Sequence, residues 1–177
     1  MEKVRLATIW LDGCSGCHMS FLDMDERLAE IAGRIELIYS PLVDVHEIPE
    51  KIDVVLVEGA VATTADREKI LHLRNHARIL VAFGDCAVTT NVPGMRNRFE
   101  REAVLARAYP EDGGNPPRQP GENIPRLLRR VRPIHEYVKV DSFLPGCPPP
   151  ADAIFFLISS LLEGHLPDLT GRSRFGA

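Results

Sequence analysis

Three runs in this chain, Val4–Leu11, Ile52–Val57 and Ile79–Phe83, are apolar almost throughout instead of at alternate positions. A strand that alternates buries one face of a sheet, whereas a strand without alternation must be covered on both faces. The segments between the runs have helical spacing. Residues 20–33, "SFLDMDERLAEIAG", place Phe21, Leu22, Met24, Leu28 and Ile31 near one stripe with Gly33 as a stop. Residues 65–76, "ADREKILHLRNH", form an amphipathic helix with acidic residues in its first turn. Ile35–Tyr39 and part of 137–147 supply two further strands, and helices are expected over 96–109 and 151–165. Strands alternating with helices, each strand covered on both sides, give an α/β, flavodoxin-like, doubly wound parallel sheet over residues 1–177 as one domain. Residues 110–126, "PEDGGNPPRQPGENIPR", are too rich in proline and glycine for either element and are expected as an irregular surface excursion.

Composition matters here mainly for what it excludes. A net charge of −4 gives no electrostatic basis for binding nucleic acid. No apolar run reaches the roughly 20 residues that span a bilayer, and the N-terminus lacks the features of a signal peptide. The chain is therefore expected in the cytoplasm, where thiols stay reduced and cysteines serve as ligands or redox groups more often than as disulfides.

The four cysteines follow the strand map. Cys14 and Cys17 come after the first strand, Cys86 after the fourth and Cys147 after the fifth, so all four are expected in loops at one edge of a parallel sheet, where ligands of open α/β sheets bind. Glycine and proline flank the sulfurs: Gly13, Gly16, Gly84, Gly146 and the prolines 145 and 148–150. Four chemistries accept the opening "CSGCH". Covalent haem attachment needs export and leaves Cys86 and Cys147 without a role, and a redox dithiol also leaves them idle. Zinc bound by four thiolates remains open, although single distant ligands are unlike the paired knuckles of structural zinc sites. Four unrelated buried cysteines remain open too. One [4Fe–4S] cluster uses all four in the spacing C-x2-C-x68-C-x60-C, and it is the favoured reading. An FMN carrier of the same fold would normally show a Ser/Thr-rich phosphate loop where this chain has cysteines.

Four segments in this order, "IWLDGCSGCHMSFLD", "VVLVEGAV", "VAFGDCA" and "LPGCPPPADAI", resemble the small subunit of [NiFe]-hydrogenases across nearly the whole chain. The resemblance implies that Cys14, Cys17, Cys86 and Cys147 hold a single proximal [4Fe–4S] cluster facing the nickel–iron site of a large subunit. The separation of the first two cysteines by Ser15 and Gly16 is unlike the related complex I subunit, which has adjacent cysteines there. With neither export signal nor further cluster domain in view, the chain resembles the short cytoplasmic form of NAD-reducing soluble hydrogenases. That form passes electrons to diaphorase subunits carrying FMN and Fe–S clusters. Deazaflavin- and heterodisulfide-linked hydrogenases are the neighbouring alternatives, and a zinc-stabilised interaction module is the alternative outside the class. The chain alone is expected to have no hydrogenase activity, and an apolar patch around the cluster should be covered by the large subunit.

No catalytic residue is assigned on this chain, and Glu58 is the one carboxylate singled out. It ends a strand on the ligand edge, and as an isolated residue it reads as a loop cap or an arginine partner. The resemblance of "VEGA" to a segment near the family's cluster adds a role as proton relay or interface carboxylate. Thr63, Thr64 and Asp85 are candidates for the same network. His18 is expected as a polar neighbour of the site, and Trp10 as core or subunit interface. Arg126–Arg132, "RLLRRVR", is expected as a solvated helix face or a docking site for an acidic partner.

Overall fold

The computed structural model describes residues 3–110, 121 and 123–176. Five parallel strands form the central sheet: β1 (Val4–Trp10), β2 (Ile35–Tyr39), β3 (Ile52–Glu58), β5 (Ala77–Phe83) and β7 (Ser142–Leu144), in the order β2-β1-β3-β5-β7. This is the flavodoxin-like arrangement, in which the chain reverses direction of winding between β1 and β3. Alternate residues of the inner strands feed two separate cores. Leu6, Val54, Leu56, Val81, Phe83 and Leu144 pack under α1 (Gly16–Leu22), α2 (Glu26–Ala32) and α6 (Ala151–Leu162). Ala7, Ile9, Val55, Val57, Leu80 and Ala82 pack under α3 (Thr64–His76), α4 (Asp85–Thr89) and the segment carrying Ile134 and Val138. Burial on both faces explains why these strands show no alternation.

A second sheet has two antiparallel strands, β4 (Val61–Thr63) and β6 (Leu127–Arg132). The expected helix face at Arg126–Arg132 is therefore a strand. Val131 is buried against Ala60 and Ala62, and pairing with β4 outweighs the helical propensity of the arginines and leucines. Two other expected helices are broken. The one over 20–33 starts earlier, at Gly16, and divides at Asp25, whose φ is 50°. The one over 96–109 divides into a 3-10 turn (Pro93–Arg98) and α5 (Arg101–Ala108), separated by extended backbone at Phe99 and Glu100. Most of the expected excursion at 110–126 lies outside the described residues. Trp10 is not core, being 46% exposed at the end of β1.

The short edge strand β7 is held by the residue before it. Asp141 accepts hydrogen bonds from the Leu80 N–H (2.9 Å) and the Arg74 guanidinium (2.6 Å). Burial alone would raise its carboxyl, but these donors hold it below the usual carboxylate range. A lowered folded value stabilises the fold above the unfolded value of about 4, and that contribution disappears as pH falls through the folded value. Asp141→Asn should cost about 1–2 kcal/mol at neutral pH, and the gap to wild type should close on acidification. Urea midpoints of both proteins across the acid range would check this.

Candidate functional site

Strand register builds the site. Trp10, Glu58, Phe83 and Leu144 lie in one row across the C-terminal edge of the sheet. Cys86 and Cys147 each follow that row by three residues, past Gly84 and Gly146, and Cys14 and Cys17 follow β1 at the switch between β1 and β3. Two of the four are not in loops as expected. Cys17 and Cys86 sit in the first turns of α1 and α4, while Cys14 and Cys147 lie in the connecting segments. A first helical turn offers N–H groups without intrahelical partners, which favours negative charge nearby.

The three cysteine segments are fastened to one another. The Asp85 carboxylate accepts from the Gly146 N–H at 2.6 Å, and the Asp85 N–H donates to the Gly146 carbonyl at 2.9 Å. The Ser20 hydroxyl of α1 donates to the Pro149 carbonyl at 2.5 Å. Asn91 Nδ2 donates to Cys147 Sγ at 3.3 Å, and the Gly16 N–H to Cys14 Sγ at 3.4 Å. Donors of this kind stabilise thiolates and tune a cluster bound to them. Asp85 also accepts from the Gly176 N–H at 2.8 Å, which draws the C-terminal segment to the same edge.

The thiols affect one another electrostatically. Burial pushes Cys17 far above the ordinary thiol value, and Glu58 and the other three thiols push in the same direction. Cys86 is pushed up to about 11, again chiefly by burial; a Val92 N–H opposes the shift, and Cys14, Cys147 and Glu58 add to it. Both shifts disfavour the thiolates of Cys17 and Cys86, and a coordinated cation is what would offset them. Among the described residues no group of three or more His, Cys, Asp or Glu is gathered tightly enough to hold a metal ion. Cys17 and Cys86 each lie within electrostatic reach of the other thiols on this edge.

Glu58 faces inward and is 1% exposed. Its carboxylate accepts from the N–H groups of Cys17 (3.4 Å) and His18 (3.1 Å) and from His18 Nδ1. His18 Nε2 lies 3.0 Å from Thr8 Oγ1, which lies 2.7 Å from Ser40 Oγ, and the Leu42 N–H donates to Ser40 Oγ at 3.1 Å. With the imidazole proton on Nδ1, every donor in this chain of contacts donates once. Among the described residues no arginine takes part. Sequence reasoning placed His18 only as a neighbour of the site, and nothing in the sequence paired it with Thr8 and Ser40, each on a different strand or loop. Asp85, Thr63 and Thr64 do not join this network. Asp85 binds Gly146, Thr63 caps α3 in a reciprocal capping box with Asp66, and Thr64 Oγ1 accepts from the Arg126 N–H.

Cys14 and Cys147 are exposed. Trp10, Met19, Val92, Met95 and Phe175 are all exposed, each on or next to a segment just described. Exposed apolar side chains on the segments that build such an edge suit a subunit interface. Among the described residues no helix is long and apolar enough to cross a membrane.

A sequence model of the family described as NADH ubiquinone oxidoreductase, 20 Kd subunit, matches residues 14–161. The delta subunit of the NAD-reducing hydrogenase HoxS of Cupriavidus necator is 43% identical over 172 residues, which cover 94% of this chain and 82% of that subunit. The iron-sulfur subunit of an F420-non-reducing hydrogenase of Archaeoglobus profundus is 31% identical over 184 residues, covering 93% of this chain but only 57% of that one. Among solved structures, a chain of an NAD+-reducing [NiFe]-hydrogenase in the H2-reduced state superposes with a TM-score of 0.88 at 40% identity, covering 98% of this chain and 100% of that one.

Proposed function

The chain belongs to the family of the NADH ubiquinone oxidoreductase 20 Kd subunit, and from that membership we propose that it is the electron-transfer subunit of a cytoplasmic [NiFe]-hydrogenase that reduces NAD+. In this reading Cys14, Cys17, Cys86 and Cys147 hold one [4Fe–4S] cluster. The nickel–iron large subunit covers the apolar rim, and diaphorase subunits with FMN and Fe–S clusters take the electrons onward. The observation that carries it is the convergence of four thiols from three separate segments on one sheet edge, with N–H donors already aimed at two of the sulfurs. Similarity to the NAD-reducing relative, at 43% identity, and to the solved NAD+-reducing chain, at 40% identity and a TM-score of 0.88, supports the NAD-linked form.

When bound, the cluster supplies one-electron transfer. The chain's own part is positioning. Asp85 and Ser20 fix the three segments relative to one another, and Asn91 and the Gly16 N–H face thiolate sulfur. Glu58 holds the first turn of α1, so Cys17 is presented from a fixed backbone. The rim of Trp10, Met19 and Val92 keeps water away once a partner covers it.

Anaerobic purification followed by iron, acid-labile sulfide and zinc analysis tests the reading, together with EPR after dithionite reduction. About four irons and four sulfides per chain are expected, with a reduced-cluster signal lost in Cys147→Ala. One zinc per chain, no labile sulfide and no signal would replace the relay with a zinc-stabilised interaction module.

A further inference from the structure

Between Pro93 and Arg132 the sequence carries nine arginines, five acidic residues and no lysine, a net +4 in a chain of net −4. The rest of the molecule therefore carries −8, and seven of the nine arginines lie in one unit: the 3-10 turn Pro93–Arg98, α5 and β6. Some of these arginines are already engaged. Arg101 and Arg132 pair with Glu102 and Glu136, and Arg96 donates to the carbonyls of Ala62 and Leu128. Arg98, Arg107, Arg126 and Arg130 make no ion pair among the described residues.

The same unit is short of cover. Helix α5 has eight residues, none buried, although it carries Ala103, Val104, Leu105, Ala106 and Ala108. A helix of that length is marginal without tertiary packing. Between the 3-10 turn and α5 lies a groove of about 670 Å³ formed by Met95, Phe99 and Val104, with Arg98 and Arg107 among its walls. Met95 and Phe99 are 65% and 63% exposed. An apolar floor is of no use to a phosphate backbone, and a rim made of arginine and not lysine suits the two oxygens of a carboxylate.

We propose that this unit docks an acidic, amphipathic segment of a neighbouring protein subunit. One or two apolar side chains enter the groove over Met95, Phe99 and Val104, and flanking Asp or Glu carboxylates pair with Arg98 and Arg107. The inference goes beyond the electron-relay reading and rests on it only for the existence of neighbouring subunits.

The test uses the complex co-produced with its neighbouring subunits and purified anaerobically, as wild type, R98E/R107E and R98K/R107K. Native mass spectrometry at rising salt reads subunit composition, cross-linking from the lysine variant identifies the docked segment, and iron and sulfide are measured alongside. The expected result is an acidic cross-linked segment, whose subunit is held about tenfold or more weakly in R98E/R107E. That subunit should be retained by R98K/R107K and released earlier by salt. Changing the cross-linked carboxylates to lysine should restore retention in R98E/R107E. A full complement of subunits in the charge-reversed complex at every salt concentration would overturn the proposal. So would a cross-link to a segment without carboxylates, or no cross-link. A loss confined to binding of anionic vesicles or single-stranded DNA would overturn it as well. A chain without iron whose partner still leaves on charge reversal would sink the relay reading alone, and a cluster-loaded complex indifferent to reversal would sink the docking alone.

Discussion

Gly84→Ala is expected to empty the proposed cluster site without touching any of the four cysteines. Gly84 lies between β5 and α4 at φ +84° and ψ 162°, a conformation that side chains rarely adopt. A Cβ built there stands 2.2 Å from Cys17 Sγ and 3.5 Å from the Gly146 carbonyl. The sulfur would have to retreat by more than an ångström to reach ordinary contact, and Cys17 is buried against the core beneath α1. Nor can the backbone give way easily, because the Gly84 N–H donates to the Leu144 carbonyl at 2.8 Å and the Gly84 carbonyl accepts the N–H groups of Ala87 and Val88. Backbone strain of about 1–3 kcal/mol and a comparable overpacking cost give an expected loss of about 2–4 kcal/mol. Iron and sulfide per chain should fall sharply with it. Gly33→Ala is the control: Gly33 has nothing within 4 Å of its added Cβ and a φ of −67°, so iron content and urea midpoint should hold or rise slightly. A Gly84→Ala chain that keeps its full iron content would mean that Cys17 does not need its present position, and its place among the ligands would be lost.

The closeness of Gly84 to Cys17 marks the limit of what the sequence disclosed. Periodicity was sufficient for the sheet because β1, β3 and β5 are buried on both faces, and that burial leaves its mark as unbroken apolar runs. It was sufficient for the edge as well, since parallel strands all end on one side. Periodicity does not reveal which residues meet across that edge. Gly84 and Cys17 are 67 positions apart, and Asp85 and Gly146 are 61 apart. The failures share a cause. Residues 127–132 have the composition of a helix but lie beside β4, and residues 20–33 have the stripe of one helix but turn at Asp25. In both places a tertiary partner or one backbone conformation decided the outcome, and local spacing carries neither. The His18 contacts were hidden for the same reason, since Thr8 and Ser40 read separately as ordinary strand and loop residues.

Glu58→Ala should cost the fold about 3–5 kcal/mol, more than its single contact with the backbone of Cys17 suggests. Helix α1 begins without the usual side-chain cap: Ser15 at its N-cap has a φ of 66° and makes no capping hydrogen bond. The Cys17 and His18 N–H groups are therefore orphan donors of a first turn, in a place where water does not reach. Glu58, delivered by the end of β3, accepts both and takes His18 Nδ1 as well. Truncation to alanine leaves three donors without an acceptor in a buried setting, and each costs about 1–3 kcal/mol. Glu58→Gln retains one acceptor oxygen but turns an NH2 group toward donors, so its loss should be smaller, though not negligible. His18→Ala removes only one of the three donors and leaves Glu58 its backbone contacts. The double variant should therefore be less damaged than the sum of the singles, with a coupling of about 1 kcal/mol or more. Urea unfolding of the apo wild type and variants measures all of these terms. A Glu58→Ala chain within about 1 kcal/mol of wild type would show that the first turn of α1 finds other acceptors, and the buried carboxylate would then need a reason other than folding. A full loss accompanied by the expected coupling would give Glu58 a structural reason to stand beside thiols that it pushes upward. The anion opposes their ionisation, but without it the turn presenting Cys17 has nothing to hold its N–H groups.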